Sequence, residues 1–256
     1  MKSLESKKYW IWLSLVKGLG IKRKWYLLQK YKTPDRIYNL TKEELLSLEG
    51  IGEKIANNII VSKNENLLNY HIKYMEENNI GIVHIYEKNY PQILKEIYDP
   101  PVSLYIKGNI DILNNKSIGI VGCRECSEYG KKAAKYFSYN LSKENINIVS
   151  GLARGVDSYA HLGCLSTVLE NVKNKKCGKL DTECGENIFN CGKTIAVLGN
   201  GLDMIYPKDN VELAREILKN GGTIISEYPC GTKPDKMNFP ARNRIISGMS
   251  NGIIVI

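Results

Sequence analysis

Residues 117–122 read SIGIVG, an apolar run that ends in a glycine. The same combination of an apolar run and a glycine recurs at 147–151 (NIVSG) and at 194–199 (TIAVLG). The first run is followed by an amphipathic helical pattern over 128–143, for which Ser127 is a suitable N-cap. Short buried strands that alternate with helices predict a parallel, doubly wound sheet.

Two further apolar runs extend this pattern toward the end of the chain. They lie at 223–226 and 252–256, and helices are predicted at 209–219 and from Arg242 to Met249. The predicted fold class is therefore α/β, a Rossmann-like, doubly wound and mostly parallel sheet over residues 116–256.

A small all-α domain of the SAM or helix-hairpin-helix type is predicted for residues 1–80. The segment KGLGI at 17–21 recurs 32 positions later as EGIGE at 49–53. Glycines in such turns permit tight hairpins, and they allow the N–H groups of the next helix to approach a phosphate. Two alternatives remain open: the hairpins contact DNA, or they only pack against each other.

Residues 81–115 are predicted to be an irregular connector. The consecutive prolines Pro100 and Pro101 exclude helix there, and a strand is expected at 102–106.

The composition indicates a globular protein with a basic surface. Among 256 residues, 36 are Lys or Arg and 27 are Asp or Glu, which gives a formal net charge of +9. This excess favours a polyanionic partner, although a lysine-rich surface can simply be solvated. No apolar stretch approaches the roughly 20 residues that span a bilayer, and the N-terminus does not resemble a secretory leader. We expect free thiols at the seven cysteines and a cytoplasmic location.

The carboxyl ends of the predicted strands form the expected binding site, because ligands of doubly wound sheets bind there. Glycine turns beside helix N-termini offer backbone donors and positive dipole ends to an anion. For Arg242 and Arg244 the alternative is pairing with acids at the sheet edge. The predicted anion-binding residues are Gly122, Arg124, Ser127, Gly151, Arg154, Gly199, Gly201, Lys208, Arg242 and Arg244.

Several common types of site are not indicated. The turn after residue 121 lacks a G-x-G-x-x-G fingerprint, and the chain contains no P-loop motif. Cys177, Cys184 and Cys191 lie seven residues apart, whereas Cys123 and Cys126 belong to a different turn, so no zinc site is expected.

Four titratable residues have structural interpretations. His161 is expected to pack inside a helix and Asp157 to cap that helix, whereas Asp203 and Glu227 are interpreted as turn-stabilising or pocket-wall residues.

Six ordered blocks of sequence now resemble one family, the DprA/Smf (DNA-processing protein A) family. The block VGCRECSEYG resembles the family's G-S-R-x-x-[ST]-x-Y-G turn, with Cys123 in place of the usual Ser. The blocks are IYDPP (97–101), VGCRECSEYG (121–130), SGLARGVDSYAH (150–161), GKTIAVLGNGLDMIYP (192–207), SEYP (226–229) and FPARNRIISG (239–248). In comparison with the family pattern, the segment 170–192 looks inserted, and the chain stops inside a strand where the family continues.

The resemblance implies a helical N-terminal domain followed by an extended Rossmann fold. It also implies cooperative binding of single-stranded DNA, which protects incoming DNA, together with homodimerisation and loading of a RecA-type recombinase in natural transformation. No catalytic residue, cofactor, metal or membrane partner is expected. The alternative function is a nucleoside-monophosphate phosphoribohydrolase-like Rossmann enzyme, whose P-G-G-x-G-T-x-x-E signature would follow the last strand seen here.

Overall fold

The computed structural model describes residues 4–176 and 191–256. Its N-terminal part contains six helices, and its C-terminal part contains four helices around one sheet. The helices are α1 (Lys8–Leu15), α2 (Ile21–Tyr31), α3 (Pro34–Tyr38), α4 (Lys42–Leu46), α5 (Glu53–Val61), α6 (Glu65–Glu77), α7 (Glu128–Lys143), α8 (Val156–Lys176), α9 (Val211–Lys219) and α10 (Asn238–Gly248). None of the helices in these ranges is long and apolar enough to span a membrane.

Seven strands in the described residues form a single mixed sheet in the order β1-β2-β6-β5-β4-β3-β7. The pairs from β6 to β7 are all parallel, whereas β1 and β2 pair antiparallel with their neighbours. This confirms the predicted mostly parallel, doubly wound sheet. The strands are β1 (Gly81–His84), β2 (Ser103–Gly108), β3 (Ser117–Val121), β4 (Asn147–Ser150), β5 (Thr194–Leu198), β6 (Thr223–Ser226) and β7 (Gly252–Val255).

Helices cover both faces of this sheet. Successive residues of a strand point to opposite faces, and β3 shows the two environments clearly. Ile120 packs with Ala134 of α7 and Ala160 of α8, whereas a Cβ placed on Gly119 would lie 3.5 Å from a methyl of Ile246 in α10. Helix α9 contacts α8, so α7, α8 and α9 lie side by side opposite α10.

The segment 81–115 differs from the sequence prediction of an irregular connector. It contributes β2, which confirms the strand predicted at 102–106, and β1, which was not predicted, and both continue the sheet beyond β6. The four residues of β1 are buried or half-buried and show no alternation of polar and apolar side chains, so periodicity could not reveal the strand.

The two glycine hairpins at the N-terminus interlock. Gly18 and Gly50 occupy equivalent positions with φ of 74° and 75°, a left-handed conformation that favours glycine. The Asn58 side chain of the second hairpin donates to the Lys17 carbonyl (3.0 Å), and Arg23 of the first donates to the Gly50 carbonyl (2.8 Å). This reciprocal pair of hydrogen bonds gives the repeat a packing role, while contact with DNA stays a prediction.

The helical part packs on the sheet through one continuous core. Trp12, Leu27 and Leu45 belong to the same buried cluster as Tyr105 of β2 and Ile225 of β6. The helical region therefore has a fixed relation to the strand ends that are described next.

Candidate nucleic-acid interface

A cleft of about 710 Å³ opens at the carboxyl ends of β3, β4 and β7. We call it the strand-end cleft. From β3 the chain continues to β4, β5 and β6 on one side of β3, and it then places β7 on the other side. The strand order therefore reverses between β3 and β7, and doubly wound sheets bind ligands at such a switch point. The lining residues used below are Gly122, Arg124, Asp157, Tyr206, Lys236, Phe239, Arg242 and Arg244.

Two glycines let the turn after β3 pack backbone against backbone with the end of β7 and with the turn after β4. A Cβ on Gly122 would lie 2.0 Å from the Ile256 carbonyl oxygen, and one on Gly155 would lie 2.1 Å from the Cys123 carbonyl oxygen. Gly155 also has φ of 77°, which disfavours any side chain. The Val156 amide donates to the Cys123 carbonyl at 3.1 Å. This close packing fixes the turn that carries Arg124 at the rim of the cleft.

Arg124, Phe239 and Tyr206 form a layered stack at the rim. The Arg124 guanidinium lies 5.7 Å from the centre of the Phe239 ring. The Phe239 and Tyr206 rings stack with centroids 5.5 Å apart and an interplanar angle of 21°. A guanidinium above an aromatic face is stabilised by the ring quadrupole, and it retains donors for a further partner.

Arg242 lies beneath this stack rather than facing solvent. Its side chain is 5% exposed, and Nη1 donates to the carbonyl oxygens of Gly151 (2.8 Å) and Val197. Burial lowers the pKa of Arg242, the nearby Asp157 carboxylate raises it, and Arg124 lowers it again. Since its Nη1 donor is committed to strand-end carbonyls, we assign Arg242 to holding the floor of the cleft. This differs from the prediction of a phosphate contact.

The buried carboxylate of Asp157 accepts hydrogen bonds from the turn after β4. Its Oδ2 accepts from the amides of Gly151 (3.1 Å) and Ala153 (3.4 Å). Burial raises the pKa of Asp157, while the positive charge of Arg242 and these amide donors oppose that shift. Asp157 is the second residue of α8, so its carboxylate closes the turn ahead of the helix rather than capping the helix amides, which differs from the predicted N-cap role.

The glycine turns do not present free amides at every predicted position. The Gly151 amide is bonded to Asp157, and the Gly201 amide donates to the Thr232 carbonyl at 2.9 Å. A Cβ on Gly199 would approach Phe239 to 2.9 Å, so this glycine makes room for the aromatic ring. Gly151, Gly199 and Gly201 thus serve close packing, which sequence patterns do not distinguish from anion binding.

Ser127 is the N-cap of α7. Its hydroxyl accepts a hydrogen bond from the Gly130 amide at 3.2 Å, and α7 occupies the residues that the sequence predicted.

Arg244 and Arg154 are both paired with acids. Arg244 bonds to Glu227 and lies 3.2 Å from a carboxylate oxygen of Asp99, whereas Arg154 lies 2.6 Å from Asp209. Burial raises the pKa of Glu227, and the Arg244 charge opposes that shift. The Arg244 pair is half-buried and anchors α10 to the connector, while the Arg154 pair is exposed and free to exchange its partner.

Lys208 and Lys236 supply further exposed positive charge beside the stack. Lys208 lies two residues beyond Tyr206, and Lys236 lines the strand-end cleft ahead of α10. Neither lysine forms an ion pair within the described ranges.

Phe239, Tyr206 and Lys236 were not among the residues predicted for the binding site. A signal was present for Phe239 and Lys236: the twelve residues from Lys233 to Arg244 contain four basic residues and one aromatic residue. Aromatic residues interleaved with cations are typical of surfaces that bind single strands.

The remaining titratable residues have structural roles. His161 is fully buried and its Nδ1 lies 2.6 Å from the Thr194 hydroxyl, while Asp203 accepts from the Gly231 amide at 2.9 Å. Within residues 4–176 and 191–256 no cluster of His, Cys, Asp or Glu is arranged to hold a metal. Cys177 and Cys184 lie outside the described residues.

Comparison with known proteins identifies the family of this sequence. The family model of DNA recombination-mediator protein A matches residues 81–178 and 180–256, and a model of a SAM-like tandem helix-hairpin-helix matches residues 13–62. The Smf protein of Synechocystis sp. is 35% identical over 255 residues, which cover 97% of this chain and 57% of that protein. The DNA processing protein DprA of Streptococcus pneumoniae is 42% identical over 65% of this chain and 50% of its own length.

Solved structures agree with the sequence match. An X-ray structure of Streptococcus pneumoniae DNA processing protein A matches with a TM-score of 0.73 and 32% identity, over 97% of this chain and 77% of that one. A structure of the Helicobacter pylori protein, solved to describe its single-stranded DNA binding mode, matches with a TM-score of 0.53 and 30% identity, over 69% and 68% of the two chains. The present chain spans about half the length of the curated relatives it matches.

Proposed function

Because this chain belongs to the DNA recombination-mediator protein A family, we propose that it binds single-stranded DNA in the strand-end cleft, without reading a particular sequence. The observation that carries this proposal is the Arg124–Phe239–Tyr206 stack at the rim of a cleft beside exposed lysines. The Helicobacter pylori relative, whose single-stranded DNA binding mode has been described, supports the same substrate class.

The chemistry of the rim suits a flexible polyanion. Arg124, Lys208 and Lys236 provide charge-assisted donors for phosphates, and arginine offers the bidentate geometry that phosphates accept. The aromatic layer offers a π-face to a base, and every base has a π-face, so stacking tolerates any sequence. A duplex hides its bases within the stack, so it cannot use this layer without unpairing.

The buried polar groups under the rim give the cleft a rigid floor. Arg242 bridges the carboxyl ends of β4 and β5, and Asp157 closes the turn that follows β4. The exposed donors at the rim therefore keep a fixed geometry before the ligand arrives, which reduces the entropic cost of binding.

The proposal extends to the partners that the family resemblance implies. We propose that the bound strand is protected and passed to a RecA-type recombinase in natural transformation, that the protein acts as a homodimer in the cytoplasm, and that it makes and breaks no covalent bond. These statements rest on the family match and concern the full-length relatives, of which this chain covers about half.

Competition between DNA forms tests the substrate. A labelled 20-nucleotide strand of mixed sequence is bound to the protein and displaced with unlabelled single strand or with duplex of the same length. We expect the single strand to compete at least tenfold better than the duplex, and strands of different sequence to compete equally. Equal competition by duplex, or a strong preference for one sequence, would contradict the proposal.

A further inference from the structure

Helix α7 carries a continuous exposed stripe of tyrosine and lysine. Tyr129, Lys132, Tyr136, Asn140 and Lys143 follow the spacing i, i+3, i+7, i+11 and i+14, which places them on one face of the helix. The side chains of Tyr129 and Tyr136 are 80% and 66% exposed. We call these five residues the α7 face. Large aromatic rings exposed to water along one line of a helix favour a binding surface over an ordinary solvated face.

The charge of this helix is strongly positive. Helix α7 contains four lysines, at 131, 132, 135 and 143, and one glutamate, Glu128. The Glu128 carboxylate is occupied by Lys131 at 2.5 Å, and the α7 face itself contains no carboxylate. A polyanion is therefore the complementary partner.

Three lysines of α7, one of them in the α7 face, already contact aromatic rings. Lys131 and Lys135 lie 5.8 and 5.3 Å from the ring centre of Tyr159, and Lys143 lies 5.3 Å from that of Tyr139. The surface thus combines π-faces with cations, the two features that let proteins bind single strands without base-edge contacts.

The α7 face begins where the strand-end cleft ends. Its first residue follows Arg124 by five positions, and a Cβ on Gly130 would lie 3.7 Å from a methyl carbon of Ile256, at the end of β7. From Tyr129 to Lys143 the helix extends for about 21 Å at 1.5 Å per residue, which is the length of about six stacked nucleotides at 3.4 Å each.

We propose that the α7 face is a second contact surface for single-stranded DNA, along which the strand runs after it leaves the strand-end cleft. This inference rests on the proposed function, because it needs a strand held at Arg124. Bases stack on Tyr129 and Tyr136, and Lys132 and Lys143 neutralise the phosphates between them. Because the α7 face lies outside the cleft, only a DNA strand long enough to extend beyond the cleft can contact it.

A second copy of this chain is a poorer occupant of the α7 face. Two such faces that met would place four lysines and no carboxylate in one interface, and like charges at an interface are unfavourable.

DNA strands of two lengths distinguish binding on the α7 face from binding in the strand-end cleft. The Kd of a 6-mer and of a 20-mer is measured by fluorescence anisotropy for the wild type, Tyr129→Ala/Tyr136→Ala, Tyr129→Phe/Tyr136→Phe, Tyr70→Ala and Arg124→Ala. Tyr70 is 64% exposed on α6, so its substitution controls for the loss of an exposed tyrosine elsewhere. Sedimentation of each variant records its oligomeric state.

The double alanine variant is expected to bind the 20-mer at least tenfold more weakly and the 6-mer unchanged, since each lost base–aromatic stack weakens binding about fivefold or more. The double phenylalanine variant and Tyr70→Ala should match the wild type. The inference is overturned if the alanine variant binds the 20-mer normally, weakens both lengths equally, or changes only the oligomeric state. Arg124→Ala should weaken both lengths; if it weakened neither, the cleft proposal would fail independently of the α7 result.

Discussion

The Nη1 atom of Arg242 donates to the carbonyl oxygen of Gly151 at 2.8 Å, and the same atom reaches the carbonyl of Val197. One buried guanidinium thereby joins the carboxyl ends of β4 and β5 from below the strand-end cleft. Arg124 lines the same cleft but is exposed, and its guanidinium lies 5.7 Å from the centre of the Phe239 ring. We therefore expect the two arginines of one cleft to have separable roles, Arg242 in stability and Arg124 in the proposed binding.

Replacing Arg242 should destabilise the fold. In Arg242→Ala the carbonyls of Gly151 and Val197 lose a buried donor and Asp157 loses its nearest compensating charge, so we expect a loss of about 2–4 kcal/mol in the free energy of unfolding. Urea denaturation followed by circular dichroism measures it. The control Arg215→Ala removes an exposed arginine of α9 and should leave stability within about 0.5 kcal/mol. An unchanged midpoint in Arg242→Ala would contradict the assignment of this residue to the floor.

Gly151→Ala tests the same relationship from the other partner. The added Cβ would lie 2.5 Å from Nη2 of Arg242 and 2.6 Å from Oδ2 of Asp157, so both buried groups must move. We expect a lowered melting temperature and lowered binding of single strands in the same preparation. Gly231→Ala is a poor control because its φ is 88°, whereas in Gly52→Ala the added Cβ meets open space and only the N-cap preference of α5 is lost, so its melting temperature should fall less than that of Gly151→Ala.

The parallel part of the sheet could be predicted because each strand is an apolar run that a glycine or a polar turn terminates. The role of Arg242 could not, since a guanidinium that binds strand-end carbonyls and one that faces solvent have the same sequence signature. Helix α10 begins at Asn238, four residues before the predicted start at Arg242. Pro240 lies in its first turn, where proline is tolerated because the amide there needs no intrahelical partner.

Arg124→Ala and Lys208→Ala should weaken binding without changing the fold. A charge-assisted contact to phosphate is worth roughly 1.5–3 kcal/mol, so each substitution should raise the Kd for a 20-mer about tenfold or more. Arg124→Lys should recover part of the loss, because an ammonium lacks the bidentate geometry and stacks less well on Phe239. Anisotropy titration and thermal melting of the same samples measure both effects. A large drop in melting temperature would instead show that these side chains support the turns.

The salt dependence of binding reports how many phosphates are neutralised. If the cleft and its rim neutralise about 4–6 phosphates, log K should fall against log salt with a slope of about −3 to −4, using about 0.7 per phosphate for single strands. Titrations from low to moderate NaCl measure the slope, and Lys208→Ala should make it shallower by about 0.7. A flat response would show that the basic rim is not the binding site.

Incubation with nucleoside monophosphates tests the enzymatic alternative. A cleft that only binds DNA should release no free base, which chromatography of the reaction mixture detects. Turnover that disappears in Arg124→Ala would contradict the proposal that no covalent bond is made or broken.

His161 should make the fold sensitive to mild acid. Burial, together with the charge of Arg242, lowers the pKa of His161 from 6.5 to about 3. Between these two pH values the unfolded chain binds more protons than the folded one, so stability falls as the pH decreases through this window. The loss due to His161 alone is about 2 kcal/mol between pH 6.5 and pH 5, since one pKa unit corresponds to 1.36 kcal/mol.

The variant His161→Asn isolates this contribution, because an asparagine amide can replace the Nδ1 donor toward Thr194 and does not titrate. We expect the variant to be less stable than the wild type at pH 7.5, owing to the smaller side chain, and to lose less stability on acidification to pH 5. Asp157, whose pKa burial raises, titrates in both proteins and cancels in the difference. Denaturation midpoints at pH 7.5, 6.5, 5.5 and 5 measure the two slopes. Parallel slopes would show that the imidazole accepts a proton without unfolding, and that the buried Nε2, which has no hydrogen-bond partner in the described structure, is accessible to solvent.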